Sequence, residues 1–351
     1  MAEQFSWPDV LTSLLEGRDL SVAGSTWAMS RVMAGDATPS QLAAFLVALR
    51  AKGETVDEIV GFRDAILEAA VPLAVPADVL DIVGTGGDRY GTVNVSSMAS
   101  IVASAAGVPV VKHGNKASSS KSGSSDVLAA LGIDLSLTPE QVSQVLDAVG
   151  ITFAFAAAFH PGFRHAGPTR ADLGIPTVFN FLGPLCNPAR AEANAVGVAQ
   201  LDRVPLITGV FQTRGATALV FRGDDGLDEL TTTGHSRLWE IARGDIREHD
   251  IDPRDLGIPR ASIDDLLGAD AAHNAQVVHR VLGGEEGPVR DIVLLNAAAG
   301  LVAYRLSQDA AQMQRPILER LAEARDDAAA AVDSGAAAAK LQSWVAATAA
   351  V

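Results

Sequence analysis

The stretch Asp81–Leu131 reads DIVGTGGDRYGTVNVSSMASIVASAAGVPVVKHGNKASSSKSGSSDVLAAL, and its reading decides the fold. An apolar run, Ile82-Val83, ends in the glycine-rich loop Gly84-Thr85-Gly86-Gly87-Asp88. A helix is expected from about Ser96 to Ala106, then a second apolar run, Val108–Val111. That run ends in Lys112-His113-Gly114-Asn115-Lys116 and a serine-rich loop. Two successive strand ends therefore carry small, donor-rich loops. In a parallel α/β sheet both loops lie at the carboxyl edge, where ligands bind. Glycines let backbone N–H groups approach a phosphate, and a helix N-terminus adds partial positive charge. The pattern suits a polyphosphate or a phosphorylated sugar.

Outward from this stretch, short apolar runs alternate with helical segments. The expected strands are Leu80–Val83, Val108–Val111, Ile151–Phe155, Ala195–Ala199, Ala218–Phe221 and Glu229–Thr233, with helices at Asp126–Leu131 and Thr138–Val149 between them. Such alternation predicts a largely parallel sheet covered by helices. Before it, residues 1–72 read as all-helical. Thr38-Pro39-Ser40-Gln41 and Thr55-Val56-Asp57-Glu58 are capping boxes that each lead into apolar residues at helical spacing. The proline-punctuated Val71–Pro76 reads as a linker. The expected layout is a small helical domain, residues 1–72, joined by a returning segment at about 169–187. Residues 76–168 and 188–351 would form the larger α/β domain.

Composition narrows the function. Of 351 residues, 48% are hydrophobic and 20% charged, and the net charge is −15. That balance argues against a nucleic-acid or membrane-surface binder, which needs a basic footprint. No apolar run reaches the ~18–20 residues of a membrane span. Cys186 is the single cysteine, so no intramolecular disulfide framework exists. A reducing cytoplasm is the expected setting.

The glycine-rich loop matches neither the P-loop spacing nor the G-x-G-x-x-G dinucleotide fingerprint. Asn94-Val95-Ser96-Ser97 reads either as a plain helix cap or as hydroxyls aimed at a pyrophosphate or Mg²⁺. Lys112-His113-Gly114-Asn115 puts polar and small residues on a strand end without a packing reason, and Lys112 offers a compact cation. His113 reads equally well as structural. The acidic pair Asp228-Glu229 reads as solvated surface or as a Mg²⁺ site. Arg170 reads as a surface ion-pair partner or as a carboxylate clamp. No zinc spacing and no serine-hydrolase elbow are present.

Together these residues resemble the anthranilate phosphoribosyltransferase family. The likeness lies in GTGGD at Gly84–Asp88, NVSS at Asn94–Ser97, KHGN at Lys112–Asn115, SSKSGSSDVLAALG at Ser119–Gly132, HP at His160-Pro161, FNFLGPLCNP at Phe179–Pro188 and LDEL at Leu227–Leu230. Departures from the family's usual residues are Ser97 and Cys186 for Thr, and Phe163 for Met. The resemblance implies an α/β fold of the nucleoside phosphorylase/phosphoribosyltransferase type, a small all-helical N-terminal domain with a larger domain built on a mostly parallel sheet. It implies a cytoplasmic homodimer that transfers the phosphoribosyl group of 5-phosphoribosyl 1-diphosphate to anthranilate, with two Mg²⁺ ions per monomer. By resemblance, Gly84, Gly87, Asp88, Thr92, Asn94, Val95, Ser96, Ser97, Lys112, His113, Gly114, Asn115, Lys116, Ala117, Ser118, Ser119, Ser120 and Ser124 would line the sugar diphosphate. Gly84, Asn115 and Arg170 would contact anthranilate. Ser96, Asp228 and Glu229 would hold the metal. The competing readings are a pyrimidine nucleoside phosphorylase, which resembles a Ser-Gly-Arg-Gly pattern where Lys112–Asn115 stands, and a non-enzymatic nucleic-acid binder of the same fold.

Overall fold

The computed structural model describes residues 5–116 and 121–351. Helices α1 (Trp7–Leu15), α2 (Val22–Ala34), α3 (Pro39–Lys52) and α4 (Val56–Glu68) come first. Strand β1 (Leu80–Gly84), α5 (Val95–Ala105), β2 (Val110–Gly114), α6 (Ser124–Ala130), α7 (Pro139–Val149) and β3 (Ile151–Phe155) follow. Then come α8 (Ala156–Phe159), α9 (Gly167–Leu173), β4 (Ala193–Gly197), α10 (Val204–Arg214), β5 (Thr217–Gly223), β6 (Ser236–Ala242) and β7 (Asp245–Ile251). Helices α11 (Ala271–Leu282), α12 (Pro288–Gln308), α13 (Ile317–Asp333) and α14 (Ala336–Ala350) close the described chain. Capping boxes form at Thr38/Gln41, Thr55/Glu58 and Thr138/Gln141, where the side-chain pattern predicts them. No helix among the described residues is long and apolar enough to cross a membrane.

The strands form one sheet in the order β3-β2-β1-β4-β5-β6-β7. Pairing is parallel from β3 through β5 and antiparallel from β5 to β7. The chain leaves β1 toward β2 and β3, then returns to β1's other side as β4. Strand order thus reverses between β1 and β4, and their carboxyl ends meet in register at Gly84 and Gly197. Alternate residues point to opposite faces of each strand. Leu80, Ile82, Leu219 and Phe221 face the core shared with α5 and α12. Val196, Ala218 and Val220 face a second core, shared with α1–α4, α10 and the segment that contains Ala166, Val178, Phe181 and Leu185. The four N-terminal helices and the 166–186 segment therefore cover one face of the sheet together.

Three strand expectations need correction. Lys112, His113 and Gly114 do not follow β2 but belong to it, paired to Phe153, Ala154 and Phe155 of β3. The ladder begins only after Pro109, which has no N–H to donate. Similarly, the fourth strand is Ala193–Gly197, because it keeps register with β1; beyond it, Ala199 N–H bonds the Thr85 hydroxyl instead. Glu229–Thr233 is not a strand. Asn296 bonds both the N–H and the carbonyl of Leu230, and the Asp225 carboxylate accepts from the Thr231 and Thr233 hydroxyls. These side chains take the backbone groups and bends that a ladder would need. The β6–β7 hairpin adds two antiparallel strands beyond those expected. Its two-residue turn, Arg243-Gly244, has positive φ at both residues (51° and 85°), the signature of a tight antiparallel hairpin.

A buried ion pair ties α13 to the hairpin. Both guanidinium NH groups of Arg320 reach the Glu240 carboxylate, at 2.6 and 3.0 Å, and neither side chain is more than 4% exposed. Removing one partner strands the other charge, at roughly 3–5 kcal/mol. Arg320→Ala is therefore expected to lower unfolding free energy by about that much. Urea titration followed by circular dichroism checks this, and a loss under about 1 kcal/mol would mean that the His249 imidazole, whose Nε2 lies 3.2 Å from Glu240 Oε2, alone satisfies Glu240.

Candidate active site

The reversal of strand order between β1 and β4 opens a crevice at their carboxyl ends, the usual ligand position in such sheets. Asp228 fills its floor. A Cβ on Gly84 would overlap Asp228 Oδ2, and a Cβ on Gly197 would overlap the Asp228 carbonyl oxygen. Only glycine at both in-register positions lets the carboxylate sit there. Gly86 N–H donates to Asp228 Oδ2 at 2.7 Å, folding the β1 loop over it. Gly86 and Gly87 take left-handed φ of 69° and 87° to make that turn.

Around Asp228 the structure gathers like charges. Burial raises its pKa to about 7, and the neighbouring Asp88 carboxylate adds to the rise. Glu229 is raised well above the usual carboxylate range, first by burial and then by Asp228. The Ser96 backbone N–H, in the first turn of α5, faces Glu229 and opposes the shift. Asn94, the residue before α5, makes no side-chain cap; its amide reaches the Ser122 carbonyl instead, at 3.1 Å. The helix end thus keeps its N–H groups for the crevice. Neither plain-cap hydroxyl is used as a cap: Ser96 Oγ accepts from Lys112, and buried Ser97 Oγ has no partner.

Lys112 lies beneath this acidic floor, 1% exposed. Its ammonium donates to the Ile82 carbonyl at 2.7 Å and to Ser96 Oγ at 3.3 Å. Burial lowers its pKa, while Asp81, Glu229 and Asp228 oppose that. One ammonium stands against several carboxylates, so ionising them all demands more positive charge. The donors are all oxygens, the set Mg²⁺ prefers. Among the described residues no three His, Cys, Asp or Glu side chains converge to hold a metal alone. An ion there would complete its shell with water and ligand oxygens, as Mg²⁺ commonly does. The residues present fit that group.

A second cluster flanks the crevice. His113 Nδ1 pairs with the Gly183 carbonyl at 3.1 Å, and His160 Nε2 with the Cys186 carbonyl at 2.8 Å. The rings meet edge to face at 5.3 Å. Burial lowers both pKa values, to about 3 and about 4, so both rings are neutral near pH 7. A neutral, carbonyl-bonded ring serves structure rather than proton transfer.

Comparisons with known proteins agree on one family. The profile described as "Glycosyl transferase family, helical bundle domain" matches residues 8–70, and the "Glycosyl transferase family, a/b domain" matches residues 76–338. The anthranilate phosphoribosyltransferase of Leifsonia xyli subsp. xyli is 70% identical over 348 residues, spanning 99% of this chain and all of that protein. The chain belongs to the anthranilate phosphoribosyltransferase family. Among solved structures, the Thermus thermophilus anthranilate phosphoribosyltransferase superposes with a TM-score of 0.88 at 40% identity, covering 97% of this chain and 100% of that one. The Saccharomyces cerevisiae enzyme in complex with PRPP and Mg superposes with a TM-score of 0.87 at 28% identity, covering 98% of each chain. A helical bundle with a larger α/β domain and a mostly parallel sheet is the fold of this family.

Of the residues that resemblance to the anthranilate phosphoribosyltransferases singles out, the structure brings Gly84, Asp88, Ser96, Lys112, Asp228 and Glu229 together. Gly87 is exposed on the loop. Thr92 bridges to Leu267, Val95 is buried at the start of α5, and Ser97 lies behind it. Gly114 closely faces Ser124, whose hydroxyl donates to the Asn115 carbonyl at 3.3 Å. Asn115 and Lys116 are exposed. Ala117, Ser118, Ser119 and Ser120 lie outside the described residues. Arg170 lies apart on α9, joined to His113 through a run of rings. Lys112 differs from its expected place: it props Ser96 from below rather than projecting as a free cation.

Sequence reasoning passed over Asp81, which accepts the His113 N–H at 3.0 Å and is raised by burial to about 6. A charged residue inside the apolar run Leu80–Val83 was the available signal. Asn274, which donates to Asn94 at 2.9 Å from across 180 residues, left none.

The Asp228 pKa is higher folded than in a free chain, so its protonation favours the fold. That contribution is complete below about pH 4 and is lost as pH rises through about 7. Asp228→Asn removes the penalty. The variant's Tm relative to the parent should rise between pH 5 and pH 8, and Mg²⁺ should narrow the gap at pH 8. Equal differences at both pH values in differential scanning calorimetry would contradict the charge crowding described here.

Proposed function

We propose that this crevice transfers the phosphoribosyl group of 5-phosphoribosyl 1-diphosphate to the amino group of anthranilate, giving N-(5-phosphoribosyl)anthranilate and pyrophosphate, a step of tryptophan biosynthesis. The carrying observation is the crowded pair Asp228–Glu229 at the strand-order reversal, opposite the uncapped start of α5. Such a floor calls for a divalent cation, and such a helix start for an anion.

Residues divide the work by chemistry. Backbone N–H groups at the start of α5 would face the pyrophosphate. Asp228, Glu229 and the Ser96 hydroxyl would hold Mg²⁺, two ions per monomer, with Lys112 fixing Ser96 from beneath. Bound there, Mg²⁺ supplies charge neutralisation for the departing pyrophosphate. The C1–O bond to pyrophosphate breaks as the C1–N bond forms, through a state with oxocarbenium character. The alkylated nitrogen, now a strongly acidic arylammonium, then gives its proton to water. An arylamine is already neutral at pH 7, so no side chain is assigned as base. Gly84, Asn115 and Arg170 would place the acceptor, with Arg170 taking its carboxylate through two parallel N–H···O bonds. Alignment behind C1 is itself worth several powers of ten in rate.

Membership in the family also supports a cytoplasmic homodimer, and Leu15 on α1 and Val47 on α3 leave apolar surface for a second copy. The larger domain would comprise residues 76–168 and 188–351, with residues 1–72 and the segment 169–187 as the smaller one. Light scattering should return twice the 36.3 kDa chain mass.

Loss of anthranilate fluorescence on mixing with the sugar diphosphate and Mg²⁺ tests the reaction; no loss with Mg²⁺ present would overturn it. Asp228→Asn should cut kcat/KM by about 100-fold or more, on the scale of lost transition-state charge stabilisation. Arg170→Ala should raise the anthranilate KM at least tenfold, as loss of a charged hydrogen-bond pair does, with little change in the KM for the sugar diphosphate.

A further inference from the structure

Arg170 is held in an unusual way. Among the described residues its guanidinium has no carboxylate partner; burial alone lowers its pKa. Its support is a ring: the guanidinium carbon lies 5.2 Å from the Phe179 centroid. Phe179 meets Phe163 edge to face, at 5.8 Å and 87°. Phe163 rests on His160 at 5.3 Å, and His160 on His113 at 5.3 Å. Carbonyls of Gly183 and Cys186 fix the two imidazoles. The ladder therefore starts on β2 in the sheet and ends beneath Arg170. By contrast, the backbone that carries Arg170 is the short helix α9, without a side-chain cap and ended by left-handed Gly174.

The choice of support has a chemical consequence. A carboxylate partner would occupy the in-plane N–H fork of the guanidinium. A ring beneath the cation uses its face and leaves the fork free for a planar carboxylate. We propose that Phe179 is a positioning residue that aims the Arg170 fork at the acceptor's carboxylate, making acceptor affinity depend on the electron density of its ring. This deepens the reading above and rests on Arg170 being the carboxylate contact.

Fluorinated phenylalanines at position 179 test this in the full chain, since they keep the shape and drain the ring face. The anthranilate KM should climb stepwise with fluorination, by about 5-fold or more at the end of the series. The sugar diphosphate KM and the Tm should stay level. Phe179→Leu should reproduce the rise, Phe179→Tyr should restore the parent value within about 2-fold, and Phe179→Leu should add nothing in an Arg170→Ala background. A flat fluorination series, or equal rises in both KM values, overturns the inference. If Arg170→Ala itself leaves the anthranilate KM unchanged, the reading of Arg170 fails first and the inference with it.

Discussion

The whole site depends on one close approach: the Asp228 residue seated on Gly84 and Gly197. Two parallel strands in register end together, and both ends lack a side chain. Into that space goes a carboxylate whose ionisation the surroundings disfavour. The protein tolerates this only because the acid is anchored by backbone, through Gly86 N–H and through Asn296 on the neighbouring Leu230. A larger residue on either strand end would expel the acid from the crevice floor.

From that point the rest of the architecture follows. The reversal of strand order makes the crevice, and α12 and α5 pack against one face of the sheet that forms it. Lys112, drawn into the sheet by its pairing with β3, partly balances the acids and pins Ser96. On the opposite side, the segment from Ala166 to Cys186 shares a core with the N-terminal helices. Its carbonyls hold His113 and His160, and its Arg170 sits over Phe179 at the far end of a run of rings that begins at His113. The two sides of the crevice thus differ in construction, one of backbone amides and carboxylates, the other of rings and one guanidinium.

Much of the fold could be read locally. Capping boxes at Thr38, Thr55 and Thr138 announce their helices, because the residues that satisfy the orphan N–H groups are neighbours in sequence. Ile151–Phe155 reads as a strand and is one. Glu229–Thr233 misleads for the opposite reason: its β-branched residues suit a strand, but Asn296, 66 residues on, takes the backbone groups of Leu230. The hairpin at Arg243-Gly244 was hidden because β7 alternates charged residues with few apolar ones.

The sequence by itself determined the chemistry on offer: glycine loops after two strands, a helix start rich in hydroxyls, an acidic pair, and motif order that resembles one family. These are properties of residue type and short spacing. Which oxygens crowd, which cation lies buried and which side of Arg170 stays open were decided by tertiary structure alone. Those outcomes hang on contacts between residues 9 to 180 positions apart, and a chain has no local signal for what folding will bring against it.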